Sequence, residues 1–170
     1  MCNQSLLHVL SRGEGGRRPD EVPALTLRAT RFVRAQYLLE TPWEIIVMDA
    51  EARHLRRKLI TLQHGDEVMV DLEKTVRFED RDCLILDDGR LVQIIASDEE
   101  LLEVIARDAT HLTQLAWHIG NRHLEAQIEA TRILIRRDHV IAKMLEQLGA
   151  GVKMVREPFS PEHGAYAHDH

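Results

Sequence analysis

The feature that most constrains this chain is the order of elements over residues 101–157. L-L-E-V-I-A-R-D reads as a strand. Asp108 or Thr110 can then cap a helix by accepting from its orphan N–H groups, and Leu112, Leu115, Ala116 and Ile119 fall on one helical face. Glu125 to Glu129, E-A-Q-I-E, alternates as a strand does, and R-I-L-I-R follows after Ala130-Thr131. Asp138 caps a second helix with an expected apolar face of Val140, Ile141, Met144, Leu145 and Leu148, ended by Gly149 as the residue past the C-cap. V-K-M-V closes as a last strand. The order is β-α-β-β-α-β, the split βαβ or ferredoxin-like pattern.

Residues 26–98 have a different period. T-L-R-A-T-R-F-V-R-A, E-I-I-V-M-D, E-V-M-V-D-L, C-L-I-L and L-V-Q-I-I-A read as short strands. His64-Gly65-Asp66 and Asp87-Asp88-Gly89-Arg90 supply turns between them, since glycine accepts positive φ. His54 to Leu62 fits either a strand or a short helix. The expected class is therefore α+β: a small, mostly antiparallel β-rich N-terminal domain (26–98), a ferredoxin-like βαββαβ domain (101–157) and a flexible C-terminal tail (158–170). Ser97-Asp98-Glu99-Glu100 reads as the hinge, and residues 1–25, rich in Gly and Arg, as a disordered extension.

With 44% hydrophobic residues a core can form, whereas a net charge of -6 and 4% aromatics disfavour a nucleic-acid or anionic-membrane partner. The two cysteines, Cys2 and Cys83, make no disulfide framework and suit a reducing cytosol; Cys83, opening C-L-I-L, reads as a buried small hydrophobe rather than a nucleophile. No apolar run approaches a membrane span, and Ser5 to Leu10 is too short and polar for a signal segment. The expected location is cytoplasmic.

Ten histidines in a chain without an enzyme motif direct attention to metal binding, because imidazole is the commonest side-chain metal ligand near neutral pH. In W-H-I-G-N-R-H, Trp117 to His123, two histidines flank a helix stop. His118, close to the apolar stripe, reads as a half-buried packing residue or a ligand. His123 lies past the turn and projects freely. His139 opens the second helix, where the positive end of the dipole favours the neutral, metal-binding imidazole; a plain surface histidine is the alternative. The end of the first helix and the start of the second can lie at opposite ends of the layer, so one chain need not unite His123 with His139, and a two-fold dimer offers another route. The tail carries Glu162, His163, His168, Asp169 and His170, suited to nickel, copper or zinc. CxxC, HExxH, Walker, GxGxxG and GxSxG patterns are absent, and no nucleophile–base set points to an enzyme. Histidine ligation predicts that metal binding weakens as pH falls through about 6.5.

G-N-R-H at Gly120 to His123, Q-I at Gln127-Ile128 and R-R-D-H-V-x-x-x-M-L from Arg136 to Leu145 resemble the UreE family of urease accessory nickel metallochaperones. The ending P-E-H-G-A-Y-A-H-D-H is similar to the histidine-bearing tail of many members, and the likeness runs from about Leu27 to His170. The resemblance implies a peptide-binding, chaperone-like N-terminal domain and a homodimer joined through the metal domains. It implies nickel as the bound ion (zinc or copper can also bind), shared at the interface by His123, with further ligands at His139, His163, His168 and His170. It implies the urease accessory GTPase and apo-urease as partners. Some members carry a histidine two positions before the one matching His139; this chain has Arg137 there.

Two other readings compete with nickel delivery. One is an RNA- or peptide-binding regulator on the same sheet, with Arg132, Arg136, Arg137 and Lys143 as its footprint. The other is a metal store in which the tail binds the ions and His123 is structural.

Overall fold

The structure, a computed structural model, describes residues 27–162. The expected disordered extension (1–25) and His163, His168 and His170 lie outside the described residues.

The N-terminal half is one six-stranded sheet. Its strands are β1 (Leu27–Val33), β2 (Glu44–Met48), β3 (His54–Thr61), β4 (Glu67–Arg77), β5 (Cys83–Leu86) and β6 (Leu91–Ala96), in the order β2-β6-β5-β1-β4-β3. The ambiguous stretch from His54 is a strand: Leu55 and Ile60 are buried, Arg56, Arg57 and Lys58 face water, and the register with β4 shifts between Leu55 and Arg57. The sheet is mixed rather than mostly antiparallel, since β1 pairs with β4, and β2 with β6, in parallel. The connection between β1 and β2 is long enough to cross the sheet, which a tight hairpin is not. Gly65 (φ +94°) and Gly89 (φ +88°) turn the β3–β4 and β5–β6 hairpins as expected.

One core, including Ala29, Met48, Leu55, Val70, Leu84 and Val92, draws side chains from every strand of this sheet. It forms because the sheet curls until its two edges meet. His64, just past edge strand β3, places Nδ1 2.5 Å from Oε2 of Glu44 on the opposite edge strand β2.

The C-terminal half contains β7 (Asp98–Ile105), α1 (Ala109–Gly120), β8 (Ala126–Ile128), β9 (Arg132–Arg136), α2 (His139–Gln147) and β10 (Gly151–Pro158). The four strands pair antiparallel in the order β10-β7-β9-β8. Asp108 caps α1 by accepting from His111 N–H, and Asp138 caps α2 by accepting from Val140 and Ile141 N–H. Leu102, Val104, Ile133 and Ile135 pack against Leu115, Ile119 and Leu145 of the helices. Each such side chain contributes about 1.5–3 kcal/mol. Gly149 has φ +87° past the end of α2.

Two details depart from expectation, and a third residue, His111, takes a role the sequence did not address. Asp98, Glu99 and Glu100 are not a hinge but the start of β7, paired with Pro158, Glu157 and Arg156 of a longer β10. Val140 is exposed, and Leu145 is the fully buried residue of α2. His111 is buried as a packing residue: Nδ1 accepts from Arg107 N–H and Nε2 donates to Leu148 O at 3.0 Å, the neutral tautomer.

The face of this sheet away from the helices packs on the N-terminal half. Leu101, Leu134 and Phe159 bury against Ala50, and Glu99 accepts from Ala50 N–H. Arg53 is 2% exposed and donates to Phe78 O and Phe159 O, tying the two halves together. Phe159 and Pro161 are thus packed against the body of the protein, although both fall within the stretch read as a tail (158–170).

Candidate metal centre

His123 stands where α1 stops. Asn121 N–H donates to Trp117 O, Arg122 N–H to Ile119 O and His123 N–H to Gly120 O, which closes the last turn. His123 itself has φ +54°, a left-handed conformation that only glycine adopts freely. The imidazole is exposed and takes no hydrogen bond among the described residues, so both ring nitrogens are open to a ligand.

Two clefts meet at this residue. One, of about 510 Å³, is bounded by His123, Glu125, Ile119 and Glu162 on the C-terminal half and by His54 and Arg77 on the N-terminal half. The other, of about 250 Å³, runs from His123 and Glu125 to Arg137, Asp138 and Ile141. The end of α1 and the start of α2 therefore share one end of the layer, not opposite ends. The reason is topological: β8 and β9 run out and back as an antiparallel pair, returning the chain to where α1 ended. His139 nevertheless faces a separate cleft of about 270 Å³ with Leu102, Val152 and Met154. Among the described residues no three His, Cys, Asp or Glu side chains converge closely enough to hold a metal ion.

Two family models cover nearly the whole described chain, one for the N-terminal domain of the UreE urease accessory protein (residues 30–97) and one for its C-terminal domain (99–170). A urease accessory protein UreE of Rhizobium leguminosarum bv. trifolii is 50% identical over 147 residues, 84% of this chain and 76% of that protein. The chain belongs to the UreE family. The urease accessory protein UreE 1 of Brucella suis is 51% identical over 144 residues, covering 84% of this chain and 89% of the relative. That of Agrobacterium fabrum is 50% identical over 140 residues, 82% and 87% of the two chains. UreE proteins are accessory chaperones and not enzymes, and this chain is one of them.

His118, the other histidine of the block at the end of α1, is half-buried and stacks edge-on with Trp117 at 5.0 Å, a packing role. Cys83 is fully buried, and desolvation pushes its thiol up to about 11, so it is neither nucleophile nor ligand. The expected basic footprint is largely neutralised. Arg132 is bound by Glu129, Glu103 and Glu157 at 2.7–2.8 Å, Arg136 lies 3.5 Å from Glu125, and Arg137 lies 3.3 Å from Glu100. These carboxylates hold the Arg132 guanidinium well above its ordinary range. Sequence reasoning missed His54, Arg77, Glu125 and Glu162 as neighbours of His123. Only the pairing of His54 opposite Arg77, between β3 and β4, brings the N-terminal pair to the cleft.

Proposed function

We propose that this protein is a nickel metallochaperone that binds Ni(II) through His123 at a homodimer interface and passes it on for assembly of the urease active site. The observation that carries this reading is the geometry of His123: an exposed, unbonded imidazole on a rigid helix stop, within a C-terminal unit of UreE type. Its ligand set is incomplete within the described chain. A two-fold axis through His123 doubles the imidazoles without needing more residues. Exposed Trp117 on α1 and Val140 on α2 supply apolar surface for such an interface, at 62% and 61% exposure.

The order β10-β7-β9-β8 with both helices on one face supports a ferredoxin-like metal domain (101–157). The N-terminal domain (26–98) leaves Trp43, just before edge strand β2, and Ile45 and Val47 on it exposed, which suits a peptide-binding role. His139 and the tail residues His163, His168 and His170 are auxiliary nickel ligands in this reading, with zinc and copper as competing ions. The acceptors are the urease accessory GTPase and apo-urease, in the cytoplasm. The carboxylates around Arg132, Arg136 and Arg137 disfavour the RNA-binding alternative.

The test is activation of apo-urease with its accessory proteins at limiting nickel. The intact chain is expected to raise the yield of active urease and His123→Ala to fail. Equal activation by both would overturn the reading.

A further inference from the structure

The two helices of the C-terminal half end in the same bond pattern. At the end of α2, Ala150 N–H donates to Leu145 O, Gly149 N–H to Glu146 O, and Leu148 N–H to both Met144 O and Leu145 O. At the end of α1, Leu124 N–H reaches Ile119 O at 3.5 Å, His123 N–H donates to Gly120 O, and Arg122 N–H to Ile119 O. Each is a Schellman stop, in which the residue past the cap turns left-handed. Gly149 fills that position in α2 at φ +87°, and His123 fills it in α1 at φ +54°. Leu124 follows as the apolar residue that completes the motif, packing on the same core as Ile119.

The two stops differ at one carbonyl. In α2, Met144 O keeps a backbone donor, Leu148 N–H at 3.1 Å. The matching carbonyl in α1 is His118 O, which has no backbone donor among the described residues. It accepts instead from Nη1 of Arg122 at 2.7 Å. Arg122 N–H is the group that would take His118 O if α1 ran on by one more α-helical bond. The side chain of Arg122 thus occupies the acceptor that its own backbone needs to continue the helix.

We propose that Arg122 is a positioning residue for the metal: by holding His118 O it stops α1 from running on, and so keeps His123 in the left-handed turn from which its imidazole lines both clefts. This rests on the nickel reading above. Glycine needs no such support at that position, since it has no Cβ to clash. Histidine does, because the left-handed turn disfavours an L-residue with a side chain. With the guanidinium gone, Arg122 N–H is free to return to His118 O and His123 to relax to negative φ. That moves the imidazole relative to Glu125 and Asp138, its neighbours in the smaller cleft. One hydrogen bond of ordinary strength shifts such an equilibrium by roughly fivefold. The cation's place at the negative end of the helix acts in the same direction.

The experiment compares the full-length protein with Arg122→Met and Arg122→Lys, with nickel alone as the probe. Arg122 is exposed, so neither change takes anything from the core. Arg122→Met is expected to weaken nickel binding by up to about fivefold. In the same variant without metal, the coupling between the N–H and Hα protons of His123, read by NMR, is expected to shift toward that of a right-handed residue. Arg122→Lys keeps a donor for His118 O and is expected to restore both. The sign separates this role from plain electrostatics, because removing a positive charge beside a metal ion strengthens binding when charge alone matters. Unchanged or tighter nickel binding by Arg122→Met would overturn the proposal, as would a His123 coupling that does not move. If His123→Ala binds nickel as the native protein does, the nickel reading fails and the metal-positioning role falls with it; the His123 coupling in Arg122→Met then reports separately whether the arginine holds the stop.

Discussion

His123 occupies a conformation that costs an L-residue with a side chain roughly 1–2 kcal/mol, and its φ of +54° is one of two positive values among the described non-glycine residues. A glycine there would relieve that cost, offset by the roughly 0.5–1 kcal/mol of backbone entropy that glycine forfeits on folding. His123→Gly is therefore expected to match or exceed the native protein's stability, by up to about 1.5 kcal/mol, and, on the proposed nickel reading, to weaken nickel binding. Urea denaturation beside a nickel titration checks both halves. A clear destabilisation would mean that the imidazole packs rather than projects. The block G-N-R-H was legible as a helix stop because Gly120 and Asn121 are poor helix continuers. That the histidine itself takes the left-handed turn was not, since the motif leaves four candidates for that position.

At the scale of elements, the β-α-β-β-α-β order was readable because each helix begins on an aspartate cap and the apolar period changes from two to nearly four. The supposed hinge at residues 97–100 misled because Glu99 and Glu100 are strand residues whose charge is met across the sheet by Arg136 and Arg137. The closure of the N-terminal sheet was illegible, because it depends on two residues 20 apart on opposite edges. That closure makes a prediction. The hydrogen bond from His64 holds the Glu44 carboxyl below its usual range, and Glu44 raises the His64 imidazole above its own. The histidine's contribution is complete below its unfolded value near 6.5 and fades as pH rises through the higher folded value. The carboxylate's contribution is present above its unfolded value near 4.5 and fades as pH falls through the lower folded one. His64→Ala should therefore lower stability more at pH 5.5 than at pH 9, as read by denaturant midpoints. An effect independent of pH would show that the contact is steric only.

Across the whole molecule, the two halves meet through a buried guanidinium. Arg53 donates to one carbonyl from each half, its Nε is buried without a partner, and no carboxylate among the described residues neutralises it. Removing it leaves Phe78 O and Phe159 O without their donors, so Arg53→Met is expected to cost about 3 kcal/mol and to expose Phe159 to solvent. A thermal melt with proteolysis near residue 159 reads both; unchanged stability would exclude the clamp. The sequence could not reveal this junction, because Ala50, Arg53 and Phe159 meet only once both sheets are formed. The same holds for the cleft, whose His54 and Arg77 wall comes from the other half of the chain. The central claim is that His123 holds nickel between two copies of the protein. Calorimetric nickel titration of the intact chain and of His123→Ala, with the oligomeric state followed by light scattering, tests it most directly. The account predicts one tight nickel per dimer in the intact protein and loss of that ion in a variant that remains dimeric. Undiminished binding by His123→Ala, or tight binding by a monomer, would contradict it.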